Sequence, residues 1–200
     1  MSGPVITYSR RVGRWPTGSR ERLQGAALAL FVERGYDETS VADIAARAGV
    51  TERTFYRHFG DKREVLFDGG HSLENAIVES LASCPPDLPP LDAIGQALDH
   101  AAARFFDDPR LPFARERQSV IGANPELQER ESLKMTSLTA AVSRCLQTRG
   151  SDETTARLAA EMGIGVFKVA FACWVAPGNT EPLTTHLRES LTRLRRVAGQ

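Results

Sequence analysis

The sequence predicts an all-α fold. Apolar residues recur every three to four positions along most of the chain, as they do on the buried side of amphipathic helices. Segments that contain proline, glycine and aspartate interrupt this pattern, and such segments end helices. One short β-branched run, residues 5–8, has no second run with which to pair. We therefore expect about nine helices, arranged as a small N-terminal unit and a larger C-terminal unit.

The composition is typical of a soluble globular protein. Of the 200 residues, 42% are hydrophobic and 25% are charged, which excludes a fibrous repeat and wholesale disorder. The most apolar stretch, residues 162–176, contains Lys168 and two glycines, so we expect no membrane-spanning helix. The N-terminus lacks the apolar segment of a secretory signal. These features predict a cytoplasmic protein.

The cysteines predict neither a disulfide framework nor a metal site. Cys84, Cys145 and Cys173 are separated by 61 and 28 positions, and these separations match no zinc-ligand spacing. We expect three free thiols, no metal and no other cofactor.

The formal net charge is zero, but the charges are unevenly distributed. Residues 1–67 contain 11 Lys and Arg against 8 Asp and Glu, whereas residues 68–200 contain 14 against 17. A basic N-terminal third points to an anionic partner. Residues 1–18 carry three arginines among glycines and prolines, which predicts a flexible basic arm. Those arginines either form a solvated charge cluster without a partner, the interpretation we favour, or contact DNA.

The first two predicted helices have clear ends. The first starts at Ser19 and stops before Gly35, which is suited to a C-terminal turn. Its apolar side consists of Leu23, Ala26, Ala27, Leu30 and Phe31. In the second helix, Ser40 precedes the apolar series and Asp43 follows three residues later, a spacing that predicts a capping box. Gly49 ends the second helix.

The third predicted helix follows a tight turn. Thr51 opens it, and Phe55 and Phe59 lie four residues apart on the side that faces the core. Two short helices joined by a tight glycine turn cross steeply, and the first helix then covers their apolar sides. This arrangement is a helix-turn-helix domain. The second of its two short helices, which is the third helix of the chain, has the width to enter the major groove of DNA.

Further breakers divide the rest of the chain into helices. A fourth helix is predicted from Lys62 to Ser83, after a cap formed by Asp61 and Glu64. The proline-rich run 84–90 stops it. Later helices are predicted at about residues 91–105, 113–121, 125–149, 153–175 and 183–194, with Asn124 as the N-cap of the seventh.

The exposed side of the third helix carries suitable groups for DNA. Arg53 and Arg57 lie one turn apart, and a guanidinium can contact either a guanine edge or a phosphate. Hydroxyl groups are offered by Thr51, Thr54 and Tyr56. Packing of the Tyr56 ring is the alternative to a phosphate hydrogen bond. Lys62, expected in the first turn of the next helix, is a further candidate for a phosphate contact.

One stretch of about 45 residues resembles a known family. The resemblance is to the N-terminal domain of the tetracycline-repressor (TetR/AcrR) family, and it is carried by the series Ala26, Leu30-Phe31, Gly35-Tyr36, Thr39-Ser40-Val41-Ala42-Asp43-Ile44-Ala45, Ala48-Gly49-Val50-Thr51, Thr54-Phe55-Tyr56-Arg57-His58-Phe59, Lys62 and Leu66. The remainder of the chain resembles that family in length and helix count. The resemblance implies an arm at residues 1–18, a DNA-binding domain at 19–66 and an effector-binding and dimerisation domain at 67–200.

The resemblance also implies a function. Members of the family are homodimeric transcriptional regulators, usually repressors, that leave a palindromic operator in double-stranded DNA when a small-molecule effector binds. The family pattern places Ser40 and Lys62 at phosphates. It places the recognition surface at Glu52, Arg53, Tyr56, Arg57 and His58. The effector and the operator are not identified by the sequence, and a regulator that activates transcription remains an alternative.

Three positions leave alternatives open. Glu52 is an acid on a DNA-facing helix, so it either accepts from a cytosine amino group or, the interpretation we favour, caps the helix. His58 either contacts phosphate or caps the helix. The pair Gly69-Gly70 departs from a continuous fourth helix, because glycine in a helix interior costs on the order of 1 kcal/mol relative to alanine. The pair is therefore a candidate kink or hinge.

The C-terminal part of the sequence suggests an effector pocket and a dimer interface. The candidate pocket residues are His100, Phe105, Phe113, Arg117, Phe167, Phe171 and Trp174, although aromatic residues in helices also form ordinary cores. The eighth predicted helix has the small residues Ala156, Ala159, Ala160, Gly163, Gly165 and Ala170. The ninth has a stripe of Leu183, Leu187, Leu191 and Leu194. These two helices are predicted to form the homodimer, and an intramolecular hairpin is the alternative.

No sequence motif indicates an enzyme. The chain has no nucleophile elbow, zinc-protease motif, phosphate-binding loop or zinc-spaced cysteine and histidine set. A helical adaptor that binds only protein is the alternative to a DNA-binding regulator. Weak DNA binding that does not depend on sequence would favour the adaptor.

Overall fold

The structure, a computed structural model, describes residues 18–67, 70–106 and 108–199. Within these ranges it contains ten α-helices, one 3-10 turn and no strand, which confirms the predicted fold class. The chain divides into two compact units, Met1–Leu66 and Phe67–Gln200. The basic arm predicted for residues 1–18, except Gly18, and the β-branched run at 5–8 lie outside the described residues.

The helix bounds follow the predicted breakers closely. The first unit contains α1 (Ser19–Arg34), α2 (Val41–Ala48), α3 (Glu52–His58) and most of α4 (Glu64–Phe67). The second contains α5 (Gly70–Ala82), α6 (Pro90–Phe105), α7 (Leu111–Ala123), α8 (Pro125–Thr148), α9 (Glu153–Val175) and α10 (Leu183–Val197), and the 3-10 turn Asp108–Arg110 precedes α7.

The fourth predicted helix needs correction. Its expected start at Lys62 is wrong, because Lys62 lies in a turn and α4 begins two residues later, at Glu64. Where the sequence predicts one helix as far as Ser83, the structure describes two, α4 and α5. Asp68 and Gly69 between them lie outside the described residues, so the hinge predicted at Gly69-Gly70 stays a prediction.

The cap of the seventh predicted helix also differs from expectation. Asn124 precedes α8, but its side chain makes no cap hydrogen bond to that helix. Instead, its Nδ2 donates to the backbone oxygen of Val120 at 2.6 Å and satisfies a carbonyl at the end of α7. Asn124 is nevertheless the N-cap of α8, as predicted, with Pro125 as the first helical residue, and its backbone oxygen accepts from the Gln128 N–H at 3.0 Å. The same asparagine therefore ends α7 through its side chain and begins α8 through its backbone.

Helix α9 is the central element of the second unit. It packs against α6, α7, α8 and α10, and Trp174 and Ala160 on its inner side are fully buried. Gly163 sits so close to α6 that a Cβ there would come within 2.5 Å of Cγ2 of Ile94. By length and composition α9 could cross a membrane. An 18-residue segment of this helix has a mean hydropathy of 1.6, and 44% of that segment is buried inside the protein.

The residues proposed for dimerisation on sequence grounds are mostly internal. Ala156, Ala159, Ala160, Gly163 and Ala170 of α9 are buried within their own unit, as are Leu183 and Leu187 of α10. Tight packing within one chain therefore explains this small-residue pattern, which matches the intramolecular alternative. Gly165 differs from them, because no atom lies within 4 Å of the position its Cβ would take.

Helices α6 and α10 meet along an antiparallel line of contact. Arg195 pairs with Asp92 near one end, and Arg188 pairs with Asp99 at 2.5 Å near the other. Between these ion pairs, Gly95 lets Leu191 approach so closely that a Cβ on Gly95 would lie 2.7 Å from the Leu191 side chain. The two ion pairs thus set the register of the contact.

Candidate nucleic-acid interface

The turn between α2 and α3 is fixed by the backbone. Gly49 adopts φ 67° and ψ 38°, a left-handed conformation that glycine enters without steric cost. Its N–H and that of Val50 donate to carbonyls in the last turn of α2, and the Val50 bond to Ala45 measures 3.0 Å. Thr51 then caps α3 by accepting from the N–H of Thr54. The orientation of α3 therefore follows from two adjacent local motifs.

The inner side of α3 is anchored by the two predicted phenylalanines. Phe55 is fully buried, Phe59 is almost so, and their ring centroids lie 5.3 Å apart. They join the core formed by α1 and α2, in which Leu23 and Ile44 are fully buried. The prediction that both rings belong to the core is confirmed.

The outer side of α3 is polar and basic. Arg53 and Arg57 are exposed and lie on the side of the helix opposite Phe55, as their helical positions require. Within the described residues neither guanidinium forms an ion pair. Tyr56 is 56% exposed, and its ring meets that of Phe55 edge to face at 5.5 Å, so the hydroxyl points away from the core. These three side chains can reach a ligand that approaches α3 from outside.

Glu52 does not cap α3. That role belongs to Thr51, whose hydroxyl accepts from the N–H of Thr54 at 3.2 Å and lies 3.1 Å from the Thr54 hydroxyl. Glu52 occupies the first turn and is exposed, a position in which an acid interacts favourably with the positive end of the helix dipole. Thr54 is half-buried, and its hydroxyl contacts the hydroxyl of Thr51.

His58 links α3 to α1. Its Nε2 lies 2.8 Å from the Ser19 hydroxyl in the first turn of α1, and the ring is half-buried. At the turn between α2 and α3, Nε of Arg22 donates to the backbone oxygen of Ala48 at 3.2 Å. Both contacts hold α1 against the helix pair. No local sequence pattern indicates these roles of Ser19 and Arg22, because their partners lie 39 and 26 residues away along the chain.

Ser40 forms the predicted capping box with Asp43. The Asp43 N–H donates to the Ser40 hydroxyl at 3.1 Å, and the Ser40 N–H donates to the Asp43 carboxylate at 3.0 Å. The Ser40 hydroxyl also donates to that carboxylate, and this hydrogen bond, with the backbone one, lowers the pKa of Asp43. Both polar groups of Ser40 are therefore engaged within α2, although the residue is exposed.

The side chain of Lys62 binds backbone groups of its own domain. Its ammonium group donates to the backbone oxygens of Tyr36 at 2.8 Å and Thr39 at 3.1 Å, and it lies 4.0 Å from the centre of the Tyr36 ring. These contacts fix the segment between α1 and α2. The structure thus gives Lys62 a positioning role, in contrast to the helix-terminal location expected from the sequence.

Asp61 organises the turn before α4. Its carboxylate accepts from the backbone N–H groups of Arg63 and Glu64 and from the Arg63 guanidinium at 2.8 Å. Partial burial acts to raise the pKa of Asp61, but these hydrogen bonds outweigh burial and leave that pKa below its usual value. The acidic cap expected here is therefore present.

Three of the seven predicted effector-pocket residues come together in the structure. Phe167, Phe171 and Trp174 form an aromatic cluster with Phe106, in which ring centroids lie 5.6 to 6.1 Å apart. The indole N–H of Trp174 is buried and has no hydrogen-bond partner among the described residues. Phe106 joins the cluster because the chain leaves α6 at this residue.

The other predicted pocket residues lie elsewhere. His100 is exposed and contacts the Ser80 hydroxyl at 3.0 Å, and Phe113 is 41% exposed. Arg117 pairs with Glu131 and stacks on Phe67. Phe105 is half-buried beneath Arg104. An open cleft of about 550 Å³ lies between α8 and α9, and none of the predicted pocket residues lines it.

The three cysteines are free thiols, as predicted. Cys84 and Cys145 are buried, and Cys173 is exposed on α9. Burial raises the pKa of Cys145. No group of three or more histidine, cysteine or acidic side chains that could hold a metal ion occurs in the parts of the chain that are described.

Individual relatives match part of the chain. TcmR of Streptomyces glaucescens is 35% identical over 89 residues, which are 44% of this chain and 39% of TcmR. MftR of Mycobacterium tuberculosis is 31% identical over 124 residues, which are 62% of this chain and 61% of MftR. The chain thus spans about four to six tenths of the length of these relatives. The structure of FadR from Bacillus subtilis, solved with stearoyl-CoA, superposes with a TM-score of 0.60 at 20% identity and covers 86% of this chain and 96% of FadR.

Two family models match almost the whole described chain. The model for bacterial regulatory proteins of the tetR family matches residues 25–68, which include α2, α3 and the turn between them. The model for the MftR C-terminal domain matches residues 88–199, more than half of the chain. The chain therefore belongs to the TetR family of bacterial regulatory proteins and carries a C-terminal domain of the MftR type.

Proposed function

We propose that this protein is a sequence-specific, DNA-binding regulator of transcription that acts in the cytoplasm as a homodimer, usually to repress. The observation that carries the proposal is the division of α3 into two sides. Buried Phe55 and Phe59 fix the helix, and Arg53, Tyr56 and Arg57 project from it without an ion-pair partner in the described residues. An exposed helix with two guanidinium groups on one side suits the major groove.

The eight candidate DNA-binding residues differ in how far their polar groups are already used within the domain. Arg53, Tyr56 and Arg57 are available for base or phosphate contacts. Ser40 and Thr51 have hydroxyls that also serve as caps, and the Thr54 hydroxyl lies 3.1 Å from that of Thr51, so contacts of these residues with DNA would share those groups. His58 and Lys62 support the domain from within. In a homodimer the two α3 helices would lie about 34–36 Å apart, or a multiple of that distance, on a near-palindromic operator.

The proposal is tested with the variant Arg53→Ala. The operator is first selected from random duplex DNA, and affinities for the operator and for scrambled duplex are then measured by fluorescence anisotropy. We expect Arg53→Ala to weaken operator binding by about 1–3 kcal/mol, roughly 5- to 150-fold, and to relax the preference at one base pair. Binding to scrambled duplex should change much less.

Arg144→Ala is the matched control, because Arg144 is exposed on α8 and forms no ion pair within the described residues. It should leave both affinities unchanged. Equal losses on operator and scrambled DNA for Arg53→Ala would contradict direct reading of bases. Absence of any preferred duplex in the selection would contradict the proposed function itself.

We further propose that a small-molecule effector releases the DNA by binding near the aromatic cluster of Phe106, Phe167, Phe171 and Trp174. The buried indole N–H of Trp174 supports this location, because an unsatisfied buried donor costs about 1–3 kcal/mol and an acceptor on a ligand would recover that cost. A coupling of about 1–3 kcal/mol would lower operator affinity roughly 5- to 150-fold.

Trp174→Phe tests the effector site. The substitution keeps an aromatic ring but removes the donor together with part of the indole, so the protein should remain folded, at some cost in stability, while its response to effectors weakens. The measurement is operator release by a panel of small molecules that includes the amphiphile stearoyl-CoA, the ligand of the FadR structure. Phe113→Leu is the control, since Phe113 lies outside the cluster. An unchanged response in Trp174→Phe would exclude this site.

A further inference from the structure

Glu52 is an exposed acid on a helix that is otherwise basic. It is the one acidic residue of α3, which also carries Arg53 and Arg57. The Glu52 side chain is exposed, and its carboxylate forms no ion pair or hydrogen bond within the described residues. The phosphates of a DNA duplex repel a carboxylate. An acid at this place therefore weakens binding to every duplex unless a contact with a base compensates for the repulsion.

The carboxylate of Glu52 is not used to cap a helix. Acids that cap other helices of this chain accept hydrogen bonds from backbone N–H groups, as Asp43 and Asp152 do, each at 3.0 Å. In α3 the hydroxyl of Thr51 serves as the cap and accepts from the backbone at 3.2 Å. Both oxygens of the Glu52 carboxylate thus remain available to a ligand that meets the start of α3.

We infer that Glu52 is a specificity-determining residue that accepts a hydrogen bond from the amino group of a cytosine in the major groove. The inference rests on the proposed function and names a base that the protein selects. Two bases present an amino donor in the major groove, cytosine and adenine. Adenine also presents the acceptor N7 beside its amino group, and guanine and thymine present acceptors. Cytosine is therefore the base whose edge a carboxylate matches best.

The position of Glu52 on α3 suits contact with a base edge. Residues at the start of a recognition helix contact base edges, and side chains on a helix tilt toward its N-terminus. Glu52 is the first residue of α3, and the adjacent Arg53 points about 100° away around the helix axis. The guanidinium donates hydrogen bonds and the carboxylate accepts them, so the two residues can contact two different bases. Glu52 thus adds a base preference that Arg53 cannot supply.

The variant Glu52→Ala identifies the base. Duplexes are selected from random DNA with the parent protein and with Glu52→Ala, and the two sets of base preferences are compared. The parent should prefer cytosine at one base pair of each half-site, and the variant should lose about 5-fold or more of that preference. Binding of Glu52→Ala to scrambled duplex should become tighter, because the repulsion from phosphates is removed. Arg53→Ala, in contrast, should not bind scrambled duplex more tightly.

A modified operator tests the contact with the amino group directly. N4-methylcytosine at the identified base pair still pairs with guanine, but a methyl group replaces the amino hydrogen that faces the major groove. The parent protein should bind this operator about 5-fold or more weakly than the unmodified one, whereas Glu52→Ala should bind both equally. The same modification at a cytosine whose selection does not depend on Glu52 is the control, and it should affect the two proteins alike.

Glu52→Gln provides a second, complementary variant. A glutamine amide can both donate to N7 and accept from the amino group of adenine, so the selected base should change from cytosine to adenine. Glu153→Gln is the matched control, because Glu153 is likewise exposed and is the first residue of a helix, α9. Both variants lose the same favourable interaction with a helix dipole and should unfold at similarly lowered urea concentrations. Only Glu52→Gln should change the base preference.

The possible outcomes separate this inference from the proposed function. Unchanged base preferences in Glu52→Ala and Glu52→Gln would overturn the inference, while a selected operator would still support the proposed function. Equal weakening of the parent and Glu52→Ala by N4-methylcytosine at the identified base pair would also overturn it. If the parent protein selects no duplex at all, the proposed function fails and the role of Glu52 fails with it.

Discussion

Lys62 illustrates how far a single residue can be interpreted from sequence. A basic residue just before a helix in a DNA-binding domain suggests a phosphate contact, and the resemblance to the TetR family supports that interpretation. The structure instead places the ammonium group on two backbone oxygens of the segment between α1 and α2. Those partners lie 23 and 26 residues away along the chain, so only the folded arrangement shows them.

We predict that Lys62→Met destabilises the protein. The substitution keeps the aliphatic stem but removes two charge-assisted hydrogen bonds and the contact with the Tyr36 ring, so the free energy of unfolding should fall by about 1–3 kcal/mol. Urea denaturation measures this loss, with Arg144→Met as the control. A uniform loss of DNA affinity at unchanged stability would instead favour a direct phosphate contact.

At the scale of elements, helix existence and helix ends were predictable. The bounds of α9 agree with the predicted range, and the ends of α1 and α2 agree because Gly35, Ser40 and Gly49 act through local backbone chemistry. The prediction of which side of a helix packs within its own chain and which side faces a second copy was less successful. The small residues of α9 suit close packing with any helix, so the sequence alone did not distinguish contacts within one chain from contacts between two copies.

We predict that Gly163→Ala destabilises the protein although alanine favours helices. Alanine gains about 1 kcal/mol of helix propensity, but its Cβ would come within 2.5 Å of Cγ2 of Ile94, and overpacking of a core costs about 1–3 kcal/mol. Gly122→Ala has the same propensity gain and open space around its Cβ. Thermal unfolding should therefore rank Gly122→Ala above the parent and Gly163→Ala below the parent. The reverse order of the two variants would show that α6 and α9 can separate at little cost.

At the scale of the whole molecule, charge is divided between the two halves of the sequence. Residues 1–67 have three more basic than acidic side chains, and residues 68–200 have three more acidic than basic ones. This division, together with the helix-turn-helix pattern, sufficed to predict the DNA-binding part. The aromatic cluster could be predicted only in part, because Phe167, Phe171 and Trp174 lie on α9 whereas Phe106, just after α6, meets them only in the folded core.

We predict that operator affinity depends steeply on salt. A homodimer that contacts six to ten phosphates should lose roughly 10³- to 10⁵-fold in affinity between about 50 and 200 mM salt, because binding releases condensed counterions. Anisotropy titrations at several salt concentrations measure the slope, and Arg57→Ala should make it shallower by about one ion per protomer that contacts DNA. A nearly flat dependence would favour the protein-binding adaptor.

The separation of α3 into a buried side and an outward side allows the two sides to diverge independently in sequence. The side chains that hold the helix, Phe55, Phe59 and His58, are separate from those that face outward, Arg53, Tyr56 and Arg57. Substitutions among the outward residues leave the internal contacts intact. Binding preference can therefore diverge between descendants of one ancestor while the scaffold, and its tolerance to heat and denaturant, is inherited unchanged.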